Sequence, residues 1–382
     1  MKRKVLIVFG TRPEAIKMAP LIKVMEKNKD LIDFKVCITA QHREMLDQVL
    51  KIFDLTADFD LDLMKPGQDL TDITIGILKG IKPIIEEYQP NLVLVHGDTS
   101  TSTATALAAF YKQIPVGHIE AGLRTNDIYS PWPEEMNRQI TGRISTFHFA
   151  PTEWAANNLK RENVNINNIF ITGNTVIDAL HFAIDRIKNN IIIETDIIKL
   201  LKQEIPNFEK IKDKKIILVT GHRRENFGSG FLNICEALKE IASQHDDVEI
   251  IYPVHLNPNV QQPVNKLLGN IQNIHLTAPL EYLHFIYLMH ISYFVLTDSG
   301  GIQEEAPGFG KPVLVMRNTT ERPEGISAGT VKLVGTDKTN IIKESTSLIE
   351  DQHYYELMAK ATNPYGNGKA SELIFQHIIN NI

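Results

Sequence analysis

The stretch NLVLVHGDTSTSTATALAAFYKQIPVGHIEAGLRTNDIYSPWPEEMNRQITGR, residues 91–143, decides the fold. Its apolar run at 92–95 is bounded by polar residues and reads as a buried parallel strand. After the break His96-Gly97-Asp98 the pattern over 104–111 is helical, and a second apolar run at 115–119 ends at Glu120. Strand, helix and strand in that order form a right-handed unit whose two strands run the same way. Asp98 and Glu120 are therefore expected together at the carboxyl edge of one sheet, where open α/β folds bind ligands. Glu134-Glu135 follow in an arm rich in aromatic and proline residues (Tyr129, Pro131, Trp132, Pro133), a composition suited to a shaped loop over a pocket. A single acid at a strand end is commonly a cap or a solvated residue. Several in one crevice, with Arg124, Arg138 and Arg143 nearby in sequence, are harder to dismiss as caps.

Toward the N-terminus, a strand over 4–9 enters the turn Gly10-Thr11-Arg12-Pro13-Glu14 and a helix over 15–27. Proline in the first helical turn with an acid beside it is a start signal. The free amides of that turn, with Arg12, make an anion site. Having one glycine, the turn is neither GxGxxG nor a Walker loop, so no dinucleotide cofactor is expected there. A strand over 33–39 ends in Ala40-Gln41-His42-Arg43-Glu44, and a helix over 45–53, a short strand over 58–62 and a long helix over 70–88 lead back to the central stretch.

Beyond residue 143, strands are expected over 147–151 and 168–172. From 176 to 212 the pattern is mostly helical, which places a domain boundary between 172 and 212. Alternation then resumes, with strands over 215–220, 248–254, 274–276, 293–296 and 311–317. The expected fold class is α/β, with two Rossmann-like domains, 1–172 and 173–365, facing a central cleft. Residues 366–382 read as a turn and a closing helix that packs back on the first domain.

The 382 residues are 43% hydrophobic and 23% charged, ordinary for a globular protein. A formal charge of −6 leaves no footprint for nucleic acid or an anionic membrane. A phosphate-bearing ligand must be held by local cations and backbone amides. The apolar run at 5–9 is too short for a signal peptide, and no run approaches a membrane span. The two cysteines, Cys37 and Cys235, lie far apart in apolar segments, so a cytoplasmic protein with structural thiols is expected. The 13 histidines show neither HExxH nor a pairing with cysteines, so no metal is expected.

In the second half, Asp298-Ser299-Gly300-Gly301 precedes a helical pattern. Small residues there let a pyrophosphate approach the backbone, and an acid further along, Glu305, suits a pair of ribose hydroxyls. His222, in Gly-His-Arg-Arg-Glu-Asn, sits at a strand end beside two arginines that favour its neutral form. His255 lies at another strand end, whereas His284 and His290 lie on an apolar helix and read as packing residues.

The segments VFGTRPEAIKMAP, TAQHREMLDQV, VHGDTSTSTATALAAF, HIEAGLRT, PWPEEMNRQ, TGHRREN, TDSGGIQEEAP and NPYGNGKAS, spread in this order over residues 8–371, closely resemble the non-hydrolysing UDP-N-acetylglucosamine 2-epimerases. The resemblance implies two Rossmann-like domains in the glycosyltransferase-B arrangement and a homodimer. It also implies interconversion of UDP-GlcNAc and UDP-ManNAc without NAD or metal, for cell-surface polysaccharide precursors. By resemblance Asp98, Glu120 and Glu134 form the acid/base set, with His222 beside the leaving diphosphate. Arg12, Lys17, His255, Ser299, Gly300, Gly301 and Arg322 would contact the substrate, and Glu305 the ribose. Gln41 and His42 match a region where some bacterial members bind UDP-GlcNAc as an activator, although Glu44 and Gly67 stand where regulated relatives carry Gln and Arg. Four alternatives stay open: a hydrolysing epimerase, an epimerase of a related UDP-N-acetyl sugar, a glycosyltransferase and a regulatory UDP-sugar-binding protein.

Overall fold

The computed structural model describes residues 2–40, 43–65 and 67–381, with Arg43 and Glu44 described by backbone alone. The chain divides into two compact units, Met1–Ala179 with Tyr365–Ile382, and Leu180–Pro364.

The first unit holds β1 (Arg3–Phe9), β2 (Ile32–Ile38), β3 (Phe59–Asp60), β4 (Leu92–His96), β5 (Val116–Ile119), β6 (Phe147–Ala150) and β7 (Ile169–Ile171). They form one sheet in the order β3-β2-β1-β4-β5-β6-β7, and every pairing is parallel. Helices cover both faces, so the central strands are apolar throughout rather than alternating: Val5 to Phe9 and Leu92 to Val95 are all fully buried. The order reverses between β1 and β4, which makes their carboxyl ends a topological switch point. The helix Arg12–Lys27 starts there on a capping box, Glu14 accepting from the Thr11 N–H at 2.8 Å.

The last residues return to this unit. Asp178 accepts the amides of Ala370 (3.2 Å) and Ser371 (2.7 Å) at the start of the helix Ala370–Asn381. That helix lies against Arg12–Lys27. Gly366, at φ +110°, runs backbone to backbone beside Gly173, where a Cβ on Gly173 would stand 3.1 Å from the Tyr365 carbonyl oxygen.

The second unit holds β8 (Lys215–Thr220), β9 (Val248–Pro253), β10 (Ile274–Thr277), β11 (Phe294–Thr297), β12 (Val313–Val315) and β13 (Val331–Leu333). The order is β10-β9-β8-β11-β12-β13, again all parallel, with its switch point between β8 and β11. Its core gathers Phe231, Cys235, Tyr252 and Phe294. Cys37 and Cys235 are both free and buried, and burial pushes each thiol up to about 12. No helix among the described residues is long and apolar enough to cross a membrane.

Among the departures from the sequence expectation are one strand and one helix start. The strand β13 was not anticipated, because three residues, Val-Lys-Leu, at a sheet edge carry no readable period. Glu134-Glu135 do not lie in a loop but open the helix Glu134–Ile144. Acids in a first helical turn after proline are a start signal that the flanking aromatic and proline residues mask.

Candidate functional site

At the switch point of the first sheet, the turns after β1 and β4 are tied through one buried carboxylate. Glu14 is 2% exposed and accepts from the amides of Gly10 (3.0 Å) and Thr11 (2.8 Å), and from the hydroxyls of Thr99 (2.6 Å) and Ser102 (3.1 Å). Burial pushes its carboxyl up, opposed by these donors. Thr99 follows Asp98 directly, so Glu14 fixes the turn on which Asp98 stands.

Asp98 is held by Arg138, one turn into the helix Glu134–Ile144. Nε (3.0 Å) and Nη2 (2.8 Å) both reach Oδ2. The Asn137 amide donates to the Asp98 carbonyl at 2.9 Å. Arg138 is itself braced by Glu135, whose Oε2 lies 3.2 Å from Nη1. Glu135 is fully buried: burial pushes its carboxyl up, but the amides of Thr125 and Asn126 and the side chains of Gln139 and Arg138 hold it below the usual range. Glu134 is half-buried at the start of the same helix.

Glu120 follows β5, next to β4, with its own φ at +61°, an uncommon left-handed conformation for a residue with a Cβ. Its carboxylate contacts Lys17 and accepts from Asn174 Nδ2 at 2.9 Å. His96 places Nε2 at 3.9 Å from Oε2 of Glu120. Burial lowers His96 to about 4, so this neighbour is neutral at pH 7. His118, lowered by burial to about 3, bonds the Gly97 carbonyl through Nε2 at 2.7 Å. Asp98 and Glu120 thus stand at the ends of adjacent parallel strands, each beside a cation. Arg124 turns away to a forked pair with Glu162 at 2.6 and 2.8 Å. Arg12 begins the helix after β1.

In the second unit the corresponding turns are joined by Asp298. Its side chain is fully buried, and Oδ2 accepts from the amides of His222 (2.9 Å) and Arg223 (2.8 Å) and from Asn226 Nδ2 (3.2 Å). Oδ1 lies 3.3 Å from His222 Nδ1. Burial pushes Asp298 up, but the His222 side chain and these amides hold it below the usual carboxylate range. The His222 ring stacks on His255, centroids 5.5 Å apart. Ser299, Gly300 and Gly301 begin the helical turn after β11, beside Arg223, and Glu305 closes it. Arg322 contacts the buried Glu304. The arrangement offers a histidine, small residues and open amides to an anion, with an acid nearby for hydroxyls.

Gln41 and His42 lie outside the described residues, and Glu44 is described only by its backbone. Gly67 lies in the turn before the helix Leu70–Tyr88, with open space where a Cβ would stand. No group of His, Cys, Asp or Glu among the described residues is placed to hold a metal ion. Sequence reasoning passed over Asn174, although it follows β7 at a polar strand end, the signal that marked Asp98. It also gave no role to His96 and read Glu14 only as a helix-start acid, because their surroundings come from distant segments.

A family profile described as UDP-N-acetylglucosamine 2-epimerase matches residues 24–379. The UDP-N-acetylglucosamine 2-epimerase of Campylobacter jejuni is 61% identical over 380 residues, 99% of this chain and 98% of that one. That of Escherichia coli strain K12 is 59% identical over 379 residues, 99% of each chain. Among solved structures, UDP-GlcNAc 2-epimerase from Neisseria meningitidis bound to UDP-GlcNAc superposes with a TM-score of 0.87 at 53% identity, covering 99% of this chain and all of that one.

Proposed function

The chain belongs to the UDP-N-acetylglucosamine 2-epimerase family, and from that premise we propose that it interconverts UDP-N-acetylglucosamine and UDP-N-acetylmannosamine at C2 without hydrolysis. The observation that carries the reading is the pair Asp98 and Glu120, on adjacent strand ends at one switch point, each beside a cation.

The chemistry accounts for such a pair. The hydrogen on C2 is not next to a carbonyl, so its removal alone would leave an unstabilised carbanion. When UDP leaves C1 as C2 loses its proton, the C–H electrons form the C1–C2 double bond and the C1–O electrons depart on the diphosphate. A 2-acetamidoglucal and UDP result. Protonation of C2 from the opposite face, with UDP returning to C1, inverts the centre. The cycle needs protonatable groups on both faces, and Asp98, Glu120 and Glu134 are the proposed set. It also needs stabilisation of the departing diphosphate, for which we assign His222, Arg12, Ser299, Gly300 and Gly301, with His255 beside the histidine and Glu305 on the ribose. Lys17 and Arg322 act within this reading by holding Glu120 and Glu304. Domain roles follow: proton transfer on the first sheet and, Arg12 apart, nucleotide contacts on the second.

NMR of UDP-GlcNAc incubated with the purified protein in D₂O tests the proposal. The expected result is deuterium at C2 of both UDP-sugars with little free sugar. Accumulation of free ManNAc and UDP would identify a hydrolysing enzyme instead, and binding without exchange would remove epimerisation. The family resemblance further leads us to propose a homodimer, which light scattering would register at twice the chain mass.

A further inference from the structure

The helix Glu134–Ile144 does more than present Glu134. Two consecutive side chains on it, Asn137 and Arg138, close on Asp98, one on its carbonyl and one on its carboxylate. The guanidinium approaches a single oxygen, Oδ2, from two nitrogens, and leaves Oδ1 without a hydrogen-bond partner among the described residues. Its third nitrogen is fixed by Glu135, which is anchored in turn to the backbone amides of Thr125 (3.0 Å) and Asn126 (3.2 Å). Arg138 is only 12% exposed at its side chain, so the pair is shielded more than a surface ion pair. A planar guanidinium braced on one side can hold a carboxylate in one orientation, which a flexible ammonium does less well.

We propose that Arg138 is a positioning residue for the epimerisation, acting through Asp98: it pins Oδ2 so that Oδ1 is the oxygen presented to the substrate. This rests on the function proposed above. Because Glu134 opens the helix that carries Arg138, the same clamp sets the separation between Asp98 and Glu134. A salt bridge serving stability alone would not require one carboxylate oxygen to be left clear, nor a second side chain on the Asp98 carbonyl.

The test compares C2 deuterium exchange and steady-state kinetics for wild type, Arg138→Gln, Asp98→Asn and the double variant, each checked for fold by circular dichroism and thermal melting. Wild-type exchange is read first, and its absence would overturn the functional reading, independently of Arg138. With wild-type exchange present, Arg138→Gln is expected to lower kcat about 10- to 100-fold with KM within about threefold. In the Asp98→Asn background the same substitution should cost less than about threefold further, because its route of action is already gone. A kcat within twofold of wild type, a loss confined to KM, or an equal loss in both backgrounds would each overturn the proposal. If Arg138→Gln does not fold, Arg138→Lys is read the same way, with an expected kcat loss of about 3- to 10-fold that again vanishes beside Asp98→Asn.

Discussion

At the scale of the residue, the switch point of each sheet is built around a buried carboxylate that touches no substrate in the proposed reading. Glu14 gathers donors from the turns after β1 and β4, and Asp298 gathers those after β8 and β11. Their neighbours Asp98 and His222 inherit a fixed backbone. Replacing Asp98 by Asn or Glu120 by Gln keeps size and removes the proton acceptor, so turnover should fall about 10²- to 10⁴-fold, about 3 to 5 kcal/mol of barrier, with nucleotide binding retained. Isothermal titration with UDP alongside the exchange assay separates these effects, and near-full activity in either variant would take that residue out of the chemistry. Asp298→Asn should destabilise the second unit by about 1–3 kcal/mol at pH 7, since three donors lose a charged acceptor. The native Asp298 carboxyl is held below its unfolded value, so its contribution is present above about pH 4 and is lost as pH falls through the folded value. Urea melts should therefore show the difference between wild type and Asp298→Asn shrinking below pH 4, and a constant difference would contradict this account.

Among the elements, the first sheet carries an unusual row. His96, His118 and His148 stand on the neighbouring strands β4, β5 and β6, and all three are buried. Burial lowers them to about 4, 3 and 4, so the folded protein holds them neutral while the unfolded chain protonates near 6.5. The unfolded state binds more protons between these limits, hence stability is complete above about pH 6.5 and declines as pH falls toward 4. Each histidine contributes a slope of up to about 1.4 kcal/mol per pH unit. His118→Gln, which keeps a donor for the Gly97 carbonyl, should flatten the decline in denaturation free energy between pH 6.5 and 4.5 by about a third. An unchanged slope would place the proton uptake elsewhere. Gly122 is a second element-scale constraint. At φ +90° its missing Cβ would run into the Ala155 carbonyl of the helix Glu153–Arg161. Gly122→Ala is expected to cost more than about 2 kcal/mol, read as a lower unfolding midpoint in urea.

For the whole molecule, the chain path leaves and re-enters the first unit. The first unit is not a continuous segment: it needs Tyr365–Ile382, whose helix covers Arg12–Lys27 and supplies the amides that satisfy Asp178. Truncation after Pro364 should strip that cover, leave the buried Asp178 carboxylate without its amide donors, and uncover the part of Arg12–Lys27 against which the helix bearing the buried Ile374, Phe375 and Ile378 packs. Hydrogen exchange should then quicken across β1 and Arg12–Lys27 while β8 to β11 keep their protection. Equal loosening of both sheets would mean that the terminal helix supports more than its own unit.

What the sequence determined by itself is the alternation of apolar runs with helical periods, and therefore two parallel sheets with polar residues at their carboxyl ends. Those signals are local, carried by neighbours within a dozen residues, and they placed Asp98, Glu120, His222 and Ser299 at strand ends before any coordinates. The three-residue β13 and the helix start at Glu134 were too short or too masked for such periods. Only the tertiary structure decided the partners: Arg138 with Asp98, Lys17 and Asn174 with Glu120, Glu14 with Thr99, and the return of the last helix to the first sheet. Those pairs lie 40 to 103 residues apart in sequence. No periodicity records them, because which side chains meet across such separations is set by how strands order in the sheet and helices pack on it.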